Sequence, residues 1–398
     1  MKPEKKPTTI LSYGLLVMTA THTLTHAFQQ IHTALFPILK SPEEFNLSYQ
    51  QIGLIAAIPP LCQALLSIPA GLLSDRFGSK KMVLVSIVVA ALGAVLASRA
   101  QNPWMLIVGV SLLLVNTTIY HPAAYSFTTL QFQARDRSKA LGVHGAGGTL
   151  GMAIGPISVT ILMAFFAFTW RQVYFFWIIP LMAGMLSVLR IKSRPRVEMV
   201  ENNSKNSPDD EVNKLLSLNL VMFLVFIGIR MMAGGMISSF LPIFLVENKG
   251  VTPYMASLIF GSNYLMGLVA APLGGFMAAR YGEKRWLTLV LFLSYVSLGV
   301  ALIVPNTAVF VVLWLVNGFF NFLGMAANSS IMAQLTPSRQ MGLGYGLFFL
   351  PGSIMGAVAP MIAAYIAENF GLINIFYASL AVYFISLSVL QFGVKTKS

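Results

Sequence analysis

The sequence predicts an all-α polytopic membrane protein, with twelve transmembrane helices arranged as two pseudo-symmetric six-helix bundles. Three observations carry this. First, 56% of the 398 residues are hydrophobic and only 10% are charged, with a mean hydropathy of +0.75. A soluble domain carries about 25% charged residues. Second, the apolar runs are long enough to cross a hydrocarbon core about 30 Å thick. Twelve can be placed, over 10–39, 48–74, 82–99, 103–132, 139–166, 169–190, 215–246, 251–279, 286–304, 307–334, 341–367 and 371–394. Third, a polar turn occurs twice. Gly71–Lys81 reads GLLSDRFGSKK and, 204 residues on, Gly275–Arg285 reads GFMAARYGEKR. Gly71, Arg76, Gly78, Lys80 and Lys81 thus fall on Gly275, Arg280, Gly282, Lys284 and Arg285.

The same offset carries Gly142, Gly148 and Pro156 of the fifth span onto Gly346, Gly352 and Pro360 of the eleventh. A charged turn and a Gly/Pro helix repeating at one spacing point to tandem duplication of a six-span unit. Between the sixth and seventh spans lies a stretch rich in charge, Asn, Ser and Pro, SRPRVEMVENNSKNSPDDE, with the composition of a flexible linker. The expected domains are therefore a bundle over 1–190, a cytoplasmic linker over 191–214 and a second bundle over 215–398.

The net charge of +13 would suggest nucleic acid in a soluble protein. Here the basic residues sort by side. The first residues, the loops after even-numbered spans and the last residues hold 21 Lys and Arg, while the loops after odd-numbered spans hold only Lys40, Arg99, Arg171 and Lys249. Basic residues collect on cytoplasmic loops, so both termini are expected in the cytoplasm of a prokaryotic cell, with the chain in its cytoplasmic membrane. A lipid bilayer rather than nucleic acid is the expected surroundings, and a monomer the expected state. The N-terminal run resembles a signal peptide but is too long and too polar at its centre, and reads as a retained first span. Cys62, the only cysteine, excludes an intrachain disulfide and a multi-cysteine metal site.

Polarity is distributed with a period of three spans. The third, sixth, ninth and twelfth spans are almost purely apolar, whereas the first, fourth, seventh and tenth carry the polar side chains. Lipid penalises a polar group, so the polar spans should line an interior path. At about 100° per residue, His22, His26, Gln29 and Gln30 share one quarter of the first helix, and Thr21, Thr25 and His32 widen that face. Such a set suggests a water-exposed surface. Asn116, Tyr120 and His121 mark the fourth span, and Asn317 and Asn321 the tenth. The plainer reading of any single Asn or Thr is an interhelical hydrogen bond worth about 0.6–2 kcal/mol.

The turn Gly71–Lys81 resembles the signature loop of the major facilitator superfamily, G-x-x-x-D-R-x-G-R-K-K. Gly71, Asp75, Arg76, Gly78, Lys80 and Lys81 match, and Ser79 stands where a basic residue is usual. IYHPAAYS in the fourth span and ALGVHGAGGTLGMAIGP in the fifth resemble the branch that includes fosmidomycin-resistance-type efflux proteins. Gly151 to Pro156 resembles the G-x-x-x-G-P motif of proton antiporters, although Val159 and Thr160 replace the glycine pair that follows it there. The resemblance implies alternating access, in which two bundles rock about a midplane site ringed by the first, fourth, seventh and tenth spans. It also implies gating by the signature turn. Asp75 would face the positive N-terminal end of the eleventh span, and Arg135 or Arg137 could pair with it. A charged turn that only fixes topology is the simpler reading.

All thirteen acidic residues lie outside the spans or at their ends, so the usual embedded proton carrier is missing. The embedded ionisable residues are His22, His26, His121, His144 and Arg230. An unpaired arginine at mid-depth is costly, and its planar fork suits carboxylate or phosphate. The expected function is secondary active transport of a small organic anion, proton-linked or uncoupled, with His22, His26 and His121 as candidate proton carriers, since histidine titrates near neutrality. Proton-coupled drug efflux is the alternative, with a pocket built from Phe240, Met231, Met232, Phe348 and Phe349. His22 and His26 have the i, i+4 spacing of two zinc ligands, which would suit a metal transporter or membrane metalloenzyme. Without H-E-x-x-H or a nearby acid or cysteine, no metal or other cofactor is expected, and no enzyme.

Overall fold

The computed structural model describes residues 11–132, 134–191, 217–336 and 341–395. Among these the chain is helical, with no strand. The helices are α1 (Tyr13–Lys40), α2 (Tyr49–Phe77), α3 (Ser79–Ser98), α4 (Pro103–Gln131), α5 (Ala134–Thr160), α6 (Trp170–Phe176) and α7 (Ile178–Leu189). After the linker come α8 (Leu218–Glu247), α9 (Pro253–Tyr281), α10 (Glu283–Ile303), α11 (Thr307–Leu323), α12 (Met325–Leu335), α13 (Met341–Phe370) and α14 (Ile373–Ser388). Linker residues 192–214 lie outside the described set.

Each expected span is present to within a few residues, but two are broken. The sixth is split into α6 and α7 at Trp177, where Pro180 has no N–H to give the Phe176 carbonyl. The tenth is split into α11 and α12 at Gly324, and the Trp286 indole N–H caps the neighbouring Leu323 carbonyl at 3.1 Å. The fifth and twelfth spans end in short π-helical turns, Ile161–Phe165 and Val389–Gly393. Helix starts are set by local chemistry. Asn102, Thr252 and Asn306 each accept an N–H three residues on, and Pro103 and Pro253 occupy first helical positions.

Among the described residues, eleven helical segments are long and apolar enough to cross a membrane. The first span is the exception on composition, because its Thr, His and Gln residues lower its hydropathy. Its 28 residues still reach about 42 Å at 1.5 Å per residue. Large apolar side chains such as Leu65, Ile68, Phe165 and Phe276 point outward, as a lipid-facing surface requires, while His and Thr side chains of α1 are inside.

The chain divides into two compact units that do not coincide with the duplication boundary. The first comprises Met1–His32 and Cys62–Val197, and the second Thr33–Leu61 and Glu198–Ser398. The end of α1, the start of α2 and their connecting turn thus belong to the second unit. There the Ser257 hydroxyl donates to the Ala34 carbonyl at 3.0 Å, Lys40 pairs with Glu247 at 3.0 Å, and the Tyr49 hydroxyl donates to Glu247.

Both copies of the repeated turn have the same local structure. Gly78 and Gly282 hold φ of 84° and 85°, a region open to glycine and strained for any side chain. Arg76 lies 5.6 Å from the Phe77 ring centroid, as Arg280 does from that of Tyr281. The Lys80 ammonium donates to the Leu189 and Ile191 carbonyls at 2.9 and 2.7 Å. Lys284 does the same to Gln391 and Val394, also at 2.9 and 2.7 Å. Each lysine therefore caps the final helix of its own unit, where cations are favoured. Lys81 and Arg285 are exposed, and no wall of atoms crowds Gly71 or Gly275.

Candidate functional site

Helices α1, α4 and α5 bring four imidazoles of the first unit together. His22 and His26 stand one turn apart on α1, His121 comes from α4 and His144 from α5. The α1–α5 contact is close because α5 presents small residues. A Cβ on Gly151 would sit 2.3 Å from the Thr23 carbonyl oxygen, and one on Gly148 would sit 2.7 Å from Cε1 of His22 and 3.0 Å from Cδ2 of His26. Such small-residue faces let transmembrane helices approach backbone to backbone.

The hydrogen bonds fix two tautomers. His22 Nδ1 is 2.8 Å from the His144 carbonyl oxygen, and a carbonyl can only accept, so this nitrogen carries the hydrogen. His26 Nδ1 donates to Oε1 of Gln29. In the neutral rings both Nε2 atoms are then bare acceptors. Each lies 3.2 Å from Nε2 of His121, which has at most one hydrogen to share between them. His144 is fully buried, its ring stacked on His22 at 4.2 Å, and neither of its ring nitrogens has a hydrogen-bond partner among the described residues. The cluster is short of hydrogen.

This corrects the expectation of a water-exposed face on α1. Thr21, His22, Thr25, His26 and His32 are all buried, and only Gln29 and Gln30 are partly exposed. The fourth span supplies many of the missing partners. The Tyr120 hydroxyl donates to the Met18 carbonyl and lies 2.9 Å from the Thr21 hydroxyl. Tyr120 and Asn116 are both buried within the first unit.

The second unit places Arg230 near the middle of α8. It is 9% exposed, and its Nη2 donates to Oδ1 of Asn321 at 2.6 Å. Tyr295 and Tyr383, stacked at 4.4 Å, lie within its electrostatic reach. Its Nε is buried with no hydrogen-bond partner, and no carboxylate pairs with it among the described residues. Asn317 is engaged elsewhere, donating to the Ser294 carbonyl and hydroxyl at 2.9 and 2.8 Å.

Other expected site residues are dispersed. Phe240 is buried against Tyr49, Met231 is exposed, and Phe348 stacks on Phe223 at 6.4 Å. Phe240, Met231 and Phe348 are thus held in separate contacts among the described residues. The Arg137 Nε donates to the Phe132 carbonyl at 3.2 Å. The side chains of Asp75, Arg135 and Phe349 lie outside the described set.

Relatives match along nearly the whole chain. A hexuronate transporter of Bacillus subtilis is 27% identical, over 88% of this chain and 87% of the relative. The fosmidomycin resistance protein of Escherichia coli is 24% identical, over 90% and 87%. Other relatives are named for nitrate and riboflavin. The fold is that of the crystal structure of a bacterial homologue of the human lysosomal transporter Spinster, with a TM-score of 0.80, 16% identity and 96% of each chain covered. The family model of the major facilitator superfamily matches residues 18–231 and 220–397. The chain belongs to the major facilitator superfamily, and is a multi-pass membrane transporter rather than an enzyme.

Proposed function

We propose that this transporter moves a small organic anion by alternating access, and that the anion docks on Arg230. The observation that carries the reading is the Arg230 guanidinium, embedded at mid-span with Nε–H unpartnered and, among the described residues, only the neutral groups of Asn321 and Tyr295 at its fork. A buried, uncompensated cation is expensive, and a carboxylate or phosphate would remove that cost through charge-assisted bonds. Hexuronate and nitrate, named for two relatives, are anions at neutral pH. The proton link, in this reading, falls to His22, His26 and His121, where two bare nitrogens face one hydrogen and no span contains an embedded carboxylate.

The test is uptake of labelled organic anions and lipophilic cations into proteoliposomes, with Arg230→Gln beside the unaltered protein. Losing a hydrogen bond to a charged group costs about 1.5–3 kcal/mol, so anion transport should fall roughly 10- to 150-fold. Normal transport by Arg230→Gln, or a cationic substrate, would overturn the assignment.

A further inference from the structure

The geometry points to a transition-metal site of which the sequence shows only the His22 and His26 pair: with His121 they form a three-imidazole nest for one late first-row ion of the zinc class. All three ligand nitrogens lie within 4.8 Å of one another. Two of the three edges, from His121 Nε2 to His22 Nε2 and to His26 Nε2, measure 3.2 Å. Zinc–nitrogen bonds of about 2.0–2.1 Å in tetrahedral array set ligand nitrogens about 3.3 Å apart, so only the third edge has to contract.

The surroundings are those a metal-binding histidine requires. Such a ring donates its other N–H to a backbone carbonyl, carboxylate or similar acceptor, which fixes the tautomer and aims the lone pair. His22 does this to the His144 carbonyl and His26 to Gln29. Both lone pairs then converge on His121 Nε2. A hydrogen on that nitrogen serves one of them, whereas a metal ion with His121 in its other tautomer satisfies all three. Gly148 leaves the rings room, since a Cβ there would stand 2.9 Å from His22 Nε2. Partly exposed His121 offers the way in. Imidazole ligands favour zinc, copper and nickel over magnesium or calcium. Three protein ligands leave a fourth position for water, and three neutral imidazoles, with no carboxylate beside them among the described residues, leave the ion its full double charge. The ion would occupy the place of the shared proton, so the two compete.

Metal-stripped protein in detergent or nanodiscs is titrated with Co2+ and read by ligand-field absorption, then challenged with Zn2+. One equivalent should give the intense tetrahedral spectrum and be displaced by Zn2+. His121→Gln should abolish the spectrum, and His32→Gln, outside the cluster, should keep it. Should His121→Gln fail to fold, Gln29→Ala retains every ligand and should weaken binding about 10- to 100-fold through the lost support of His26. No tetrahedral band in the unaltered protein, or unchanged affinity in His121→Gln or Gln29→Ala, would overturn the site. Because binding is read without transport, this result stands or falls separately from the anion assignment.

Discussion

The two halves of the chain agree at their turns and part company at mid-membrane. Gly78 and Gly282 share one unusual backbone conformation, and Lys80 and Lys284 cap the last helix of their own units with matching distances. The same 204-residue step carries His22 to Phe226, His26 to Arg230 and His144 to Phe348. In the second unit, Phe226 is buried in an apolar core of Phe223, Leu220 and Ile227, with Phe348 packed against it. An imidazole cluster in one half thus corresponds to an aromatic core with one guanidinium in the other. The repeat thus matches at the parts that hold the helices and differs at the embedded groups proposed to meet solute and proton.

The sharpest break in the symmetry of the turns is Asp75, whose counterpart 204 residues on is Ala279. If the first copy gates and the second only anchors, Asp75→Asn should abolish transport with topology unchanged, and Ala279→Asp should not restore it. Normal transport by Asp75→Asn, measured in proteoliposomes, would leave the turn with a topological role alone.

A smaller contrast is expected on the repeated Gly/Pro helix. Gly148 lies against the histidine rings, whereas a Cβ on Gly352 would meet nothing within 4 Å. Overpacking a tight contact costs about 1–3 kcal/mol, so Gly148→Ala should lower the thermal midpoint. Gly352→Ala should be neutral, or stabilising by about 0.4–1 kcal/mol. Equal effects would mean that the helix α5 contact is not specific to the imidazoles.

The smallest effect, and the symmetric one, concerns the lysines. Lys80→Met and Lys284→Met should each cost about 1 kcal/mol as their carbonyl caps are lost, with substrate affinity unchanged. A selective transport defect in Lys80→Met at normal stability would extend gating to that residue.

The fold was legible because lipid forces every backbone group into helical bonding, and long apolar runs between charged turns have no other solution. Breaks at Trp177 and Gly324 were less visible, since Pro180 and Gly324 could equally sit in continuous transmembrane helices. His26 and Arg230 stood out as embedded ionisable groups. Their surroundings did not. His121 and His144 reach His22 from two other helices, and only the small residues Gly147, Gly148, Gly151 and Gly155 hinted that α5 lies against α1. The supposed wet face of α1 failed for the same reason, because neighbouring imidazoles and Tyr120 supplied partners that a single helical projection cannot show.

Equilibrium binding of a transported organic anion to the purified protein, to Arg230→Lys and to Arg230→Gln tests the central claim most directly. Keeping the charge without the fork should give intermediate affinity in Arg230→Lys, and Arg230→Gln should bind at least about tenfold more weakly than the unaltered protein. Equal affinity across the three would show that the anion docks elsewhere.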